Sequence, residues 1–197
     1  MRAANALLGL LLAASWLAAG IGVAAAEKRV ALIVGNSAYE HIARLRNPAN
    51  DAADLTEKLK GLGFETYGGT DLDRRSLVKA LIDFGRAAGQ ADTALFFYAG
   101  HGLQVNGENY LVPVDALVEF EEEIDISLVT LSNVMRQLER GSKTNLIFLD
   151  ACRDNPFADK LQTSSSRSAV PLTKGLTRIQ SGRGTFIAFA TQPDAVA

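Results

Sequence analysis

Short, unbroken apolar runs separated by amphipathic ones constrain this chain more than any other feature. RVALIVGN (29–36), TALFFYAG (93–100), TNLIFLDA (144–151) and GTFIAFAT (184–191) are each one strand long and rich in β-branched and aromatic residues. A strand with one wet face alternates polar and apolar residues, so continuous runs read as strands buried on both faces. FETY (64–67) alternates and reads as a further strand. Between these lie helical patterns. In NPANDAADLTEKLKGLG (47–63), Leu55, Leu59 and Leu62 share one helical face, Asn50 is the expected N-cap, and Gly61 or Gly63 is the stop. In DRRSLVKALIDFGRAAG (73–89), Asp73 is the expected cap and Leu77, Leu81, Phe84 and Ala88 point inward. TLSNVMRQLERG (130–141) is a third helix ended by Gly141, and NYLVPVDAL (109–117) is short and extended, with Pro113 arguing against a central strand. Strands alternating with helices predict an α/β domain, a mostly parallel sheet flanked by helices. The sequence stops at DAVA straight after the fifth strand, which reads as truncation there.

The chain of 197 residues suits one domain with a proper core. Its balance of 20 basic and 22 acidic residues carries no nucleic-acid footprint. One Cys excludes a disulfide framework, and one Cys with two His argues against a structural metal site. Residues 1–26 have Arg2 near the start, an apolar stretch from Leu7 to Val23 and an A-x-A arrangement at Ala24 and Ala26. That is the layout of a secretory signal peptide, cleaved after Ala26 or kept as an anchor. The remaining domain, 27–197, is then exported, periplasmic or secreted, with no stable membrane contact once the signal is cleaved. TSSSRSAVPLTKGLTRIQSGRG (163–184) is rich in Ser, Thr, Gly and basic residues and reads as a long loop, open to nicking after Arg167 or Arg178.

Chemistry concentrates at two strand ends. In open α/β sheets ligands bind beyond the carboxyl ends of the strands. His101 is expected one residue past the third strand and Cys152 two or three past the fourth. On neighbouring strands the pair meets in one cleft. There the imidazole takes the thiol proton and later protonates a leaving amine. Gly100 and Gly102 flank His101, and the amides of Gly102 and Cys152 are candidates for an oxyanion site. Read one at a time, a lone buried Cys is a small core hydrophobe and a lone His a satisfied polar group.

YAGHG followed by DACRDNPF resembles the caspase-like cysteine peptidases (clan CD, peptidase C14), in particular the bacterial metacaspase-like branch, the orthocaspases. VALIVGNSAYEHIARLRNPANDAADL, NYLVPVDA and GTFIAFATQPDAVA are similar to the same family, so the resemblance runs from about residue 28 to the last. It implies a caspase-like (caspase-hemoglobinase) fold, a protein or peptide substrate, His101 as general base and Cys152 as nucleophile. In caspases, too, the His precedes the Cys by about 50 residues. Caspases that cut after Asp carry Gln two residues before the nucleophile, whereas this chain has Asp150. Metacaspases carry an acid there and another in an ND motif, matched here by Asp51, and cleave after Arg or Lys. An acid beside a thiolate works against thiol ionisation unless a cationic substrate needs it. Read without the resemblance, Asp51 is an acid in the first turn of a helix.

The resemblance implies no cofactor, although some metacaspases bind calcium. VEFEEEID (118–125) would offer carboxylates for it, as would Asp115 in PVDA, but the run has no regular ligand spacing and also reads as a solvated loop. Oligomeric state is not legible. Two alternatives to a basic-specific endopeptidase stay open: a catalytically silent caspase-like binding or scaffold domain, and a flavodoxin-like ligand-binding domain in which His101 and Cys152 never meet.

Overall fold

The computed structural model describes residues 26–152, 156–157 and 184–190. Its elements are β1 (Arg29–Gly35), α1 (Pro48–Gly61), β2 (Phe64–Thr70), α2 (Arg74–Ala88), β3 (Thr93–Val105), β4 (Glu108–Leu111), a 3₁₀ turn (Glu121–Glu123), α3 (Ile124–Ser127), β5 (Val129–Thr130), α4 (Leu131–Leu138), β6 (Thr144–Cys152) and β7 (Thr185–Phe189). Five strands form one parallel sheet in the order β2-β1-β3-β6-β7. This is the α/β architecture, a mostly parallel sheet flanked by helices, that the alternating pattern predicts. The short strands β4 and β5 add an antiparallel ladder onto the far end of β3.

Strand alternation divides the core into two layers. Val30, Leu32, Val34, Phe96, Tyr98, Ile147 and Leu149 pack with Leu77, Leu81, Phe84 and Ala88 of α2 and with Val134, Met135 and Leu138 of α4. Ala31, Ile33 and Leu95 pack on the other face with Ala52 and Leu59 of α1. All four inward residues expected of α2 are buried, and Asp73 caps that helix by accepting from the Ser76 amide at 2.7 Å.

Four details of the helices and the acidic run differ from what the sequence predicts. Helix α1 begins at Pro48 behind Asn47 rather than behind Asn50, because proline at the first helical position has a preset φ and no amide to leave orphaned. The helix ends at Gly61, so Leu62 drops out of phase and is 62% exposed. Helix α4 ends at Leu138, short of Gly141, where the Ser142 hydroxyl donates to the Leu138 carbonyl at 2.8 Å. The acidic run is partly helical rather than a loop. Glu123 turns back to accept the Glu119 amide at 2.8 Å, and Asp125 accepts from the Tyr110 hydroxyl at 2.7 Å. Among the described residues no group of three or more metal-ligating side chains gathers.

Gly35 is where α1 meets the sheet. A Cβ there would lie 2.1 Å from the Pro48 carbonyl oxygen and 2.5 Å from Ala52 Cβ. Only glycine lets the first turn of α1, which carries Asp51, sit directly over the end of β1.

Candidate active site

His101 does not follow β3 but lies inside it. The strand runs on to Val105, because beyond the end of β1 it exchanges its parallel neighbour for the antiparallel β4. His101 stands at that changeover. Along the β1 edge, the Ala99 carbonyl accepts the Asn36 amide at 2.9 Å, and the β1 register ends at Gly35 opposite Ala99. The next amide on that edge belongs to His101 and has no strand beside it. A buried amide needs an acceptor. Tyr39 Oη supplies it at 2.7 Å. The His101 carbonyl accepts from Tyr98 Oη at 2.6 Å, and the Val112 amide is shared between that carbonyl and Tyr98 Oη, 3.2 Å from each.

The imidazole is held as firmly as its backbone. Nε2 lies 2.8 Å from the Ala43 carbonyl oxygen, and the ring packs on Tyr39 with centroids 4.6 Å apart and planes at 56°. A carbonyl can only accept, so the contact places the proton on Nε2, and Nδ1 of the neutral ring is the basic nitrogen.

Tyr39 and Ala43 belong to the loop between β1 and α1, and the rest of that loop is tied down. Buried Asn36 donates from Nδ2 to the Val112 carbonyl and accepts the Leu72 amide, both at 3.0 Å, joining the segments after β1, β2 and β4. Asp71, at φ 54°, accepts the amides of Ser37 and Ala38 at 2.7 and 2.8 Å. The Glu40 amide donates to the Val114 carbonyl at 2.9 Å. Gly100 makes room for the two tyrosines: with φ 155°, a Cβ there would stand 2.6 Å from Tyr39 Oη and 2.8 Å from Tyr98 Oη.

Cys152 does not stand beyond β6 as expected but is its last residue, because the strand stays paired with β3 as far as His101, its register partner on the adjacent strand. Neighbouring strands run about 4.8 Å apart. Amides alternate edges along a strand. Because Ala99 bonds towards β1, the Gly102 amide is directed to the β6 side.

Asp150 lies opposite Ala99, two residues beyond Phe148, a residue of the α1 face. Its side chain reaches the surface, yet nearby atoms strip enough water from the carboxyl to raise its pKa from the ordinary aspartate value, and the like charge of Asp51 raises it further. Asp51, exposed in the first turn of α1, and Asp150 at the end of β6 are therefore close enough to repel each other. No cation is shared between them among the described residues. Asp115 is used structurally: its Oδ1 accepts the Arg74 amide at 2.8 Å, at the start of α2.

Tyr39, Asn36, Ala43 and Asp71 follow no hydrophobic period, so nothing local in the sequence marks them as parts of the site. The signal-like segment, apart from Ala26, and the loop with Arg167 and Arg178 lie outside the described residues.

Residues 28–197 match the family model of the caspase domain, peptidase C14. The mucosa-associated lymphoid tissue lymphoma translocation protein 1 of Homo sapiens and its Mus musculus homologue are each 31% identical over 137 residues, 69% of this chain. The aligned stretch is 16% of either relative's length. The crystal structure of protein GSU0716 from Geobacter sulfurreducens is similar with a TM-score of 0.50 at 20% identity, over 64% of this chain and 50% of that one. That likeness concerns the fold. With its five-stranded parallel sheet and a family match over nearly all of its length, this chain belongs to the caspase-domain family, peptidase C14.

Proposed function

We propose that this chain is a cysteine endopeptidase that cleaves peptide bonds after Arg or Lys. The observation that carries the reading is the register of His101 with Cys152, beside a pair of acids at Asp51 and Asp150. In the proposed reaction the Cys152 thiol gives its proton to His101 Nδ1, and the thiolate attacks the scissile carbonyl. The amides of Gly102 and Cys152 stabilise the oxyanion. Collapse expels the amine, which takes the proton from His101 and leaves a thioester on Cys152. His101 then accepts a proton from water as the water attacks the thioester, and the returning proton regenerates the thiol. Two carboxylates that repel each other are relieved by a cationic side chain between them, and the planar fork of Arg suits carboxylate pairs better than the point charge of Lys. An exported location belongs to the same proposal, carried by the leader-like sequence of residues 1–26.

The test is hydrolysis of peptide amides carrying Arg, Lys, Gln or Asp before the scissile bond, by the intact protein and by its Cys152→Ala and His101→Ala variants. The account expects turnover after Arg and Lys only, and loss of about 10³-fold or more in each variant. Equal cleavage after Asp and Arg, or a Cys152→Ala variant within about tenfold of wild type, would remove it.

A further inference from the structure

We infer that Tyr39 is a positioning residue for His101, acting through two separate parts of its side chain. The inference rests on the reading of His101 as the general base. Its physical root is the missing strand. Past Gly35, β1 no longer runs beside β3, so the His101 amide has no β1 carbonyl to donate to. The Tyr39 hydroxyl replaces the absent carbonyl of β1 by accepting the His101 amide at 2.7 Å. The phenol ring, 4.6 Å from the imidazole centroid, closes one side of the imidazole, while the Ala43 carbonyl fixes Nε2 from the same loop.

Tyr39 is itself immobilised. It is 2% exposed, and the next residue's amide is bonded to Val114 at 2.9 Å. Gly100 leaves its hydroxyl the space it needs. A base held at both backbone and ring pays little to reach the reactive geometry, and small misplacements are costly in rate. Because Tyr39 bonds and packs on the general base itself, its role concerns the chemical step rather than substrate affinity.

The test uses the intact protein with Tyr39→Phe, which keeps the ring and loses the acceptor, and Tyr39→Leu, which loses both. In Tyr39→Phe the His101 amide is expected to exchange with deuterium at least about tenfold faster, with the amides of Val30–Val34 unchanged. For an Arg-peptide amide, kcat is expected to fall about 10- to 100-fold with KM unchanged, and further in Tyr39→Leu. Alkylation of Cys152 by iodoacetamide at neutral pH should slow in the same order. A Tyr39→Phe kcat equal to wild type, or a loss residing wholly in KM, overturns the inference. If the wild type turns over no basic substrate, the proposed reaction fails instead. Tyr39 is then judged by alkylation alone, where equal rates in wild type and Tyr39→Phe overturn its role and an ordered slowing upholds it.

Discussion

His101 Nε2 stands 2.8 Å from the carbonyl oxygen of Ala43, a residue 58 positions earlier in the chain. The contact is made by backbone, and Ala43 itself is exposed. Side-chain identity at 43 should therefore matter little while backbone path matters greatly. Ala43→Ser is expected to keep kcat near wild type. Ala43→Pro, which sets φ and restricts Ile42, should lower kcat about tenfold or more. Steady-state kinetics on an Arg-peptide amide checks both; equal activity of the two variants would deny the carbonyl a part in orienting the ring.

The pair Asp51 and Asp150 should carry specificity. Asp150→Asn is expected to lower kcat/KM for an Arg substrate about 100-fold and to leave iodoacetamide alkylation of Cys152 no slower than in wild type. A matched loss in both measurements would mean that the residue supports the site as a whole and does not read the substrate.

Asp150 also gives a signed pH dependence. Burial and the charge of Asp51 raise its carboxyl in the folded state. From the ordinary carboxylate value up to the raised one, the folded protein holds more protons than the unfolded, so stability falls as pH rises through that window and stays lower above it. Asp150→Asn should accordingly raise Tm at neutral pH and make no difference below the window. A cationic substrate favours the charged form, so KM for Arg substrates should fall as pH rises through the same range. Thermal unfolding of both proteins at acid and neutral pH decides; an equal Tm at neutral pH contradicts the repulsion.

The loop scaffold predicts stability effects away from the chemistry. Asn36→Ala leaves the Leu72 amide and the Val112 carbonyl without their side-chain partner and should cost about 2–4 kcal/mol. Gly100→Ala drives a methyl between Tyr39 Oη and Tyr98 Oη and should cost about 1–3 kcal/mol. Denaturant unfolding measures both, and losses under about 0.5 kcal/mol would place these residues among ordinary surface positions.

What was legible in the sequence is what depends on local period. Leu77, Leu81, Phe84 and Ala88 follow a helical repeat, so the buried face of α2 could be read directly, as could Asp73 as its cap. Four of the five parallel strands announced themselves as apolar runs, and β2 as a short alternating one. The extension of β3 beyond His101 was not legible, because Gly100 looks like a strand terminator and its real use, clearance for two tyrosine hydroxyls, is a tertiary contact. Tyr39, Asn36 and Ala43 reach their partners across 62, 76 and 58 residues, and no window along the chain contains both ends of such bonds. The pairing of Asp51 with Asp150 carries no local period either: the family resemblance implies it, and the seating of α1 over the end of β1, allowed by Gly35, puts the two like charges within reach of each other.

The central claim is that His101 and Cys152 form one reactive centre read by a basic side chain. An irreversible peptidyl inhibitor carrying Arg before a thiol-reactive group, followed by intact-mass and peptide mapping, tests it most directly. The account predicts a single addition on Cys152 in the wild-type protein, strongly slowed in His101→Ala and in Asp150→Asn, and slow for the matching probe with Asp in place of Arg. Labelling of Cys152 at equal rates in wild type and His101→Ala, or by the Arg and Asp probes alike, would contradict it.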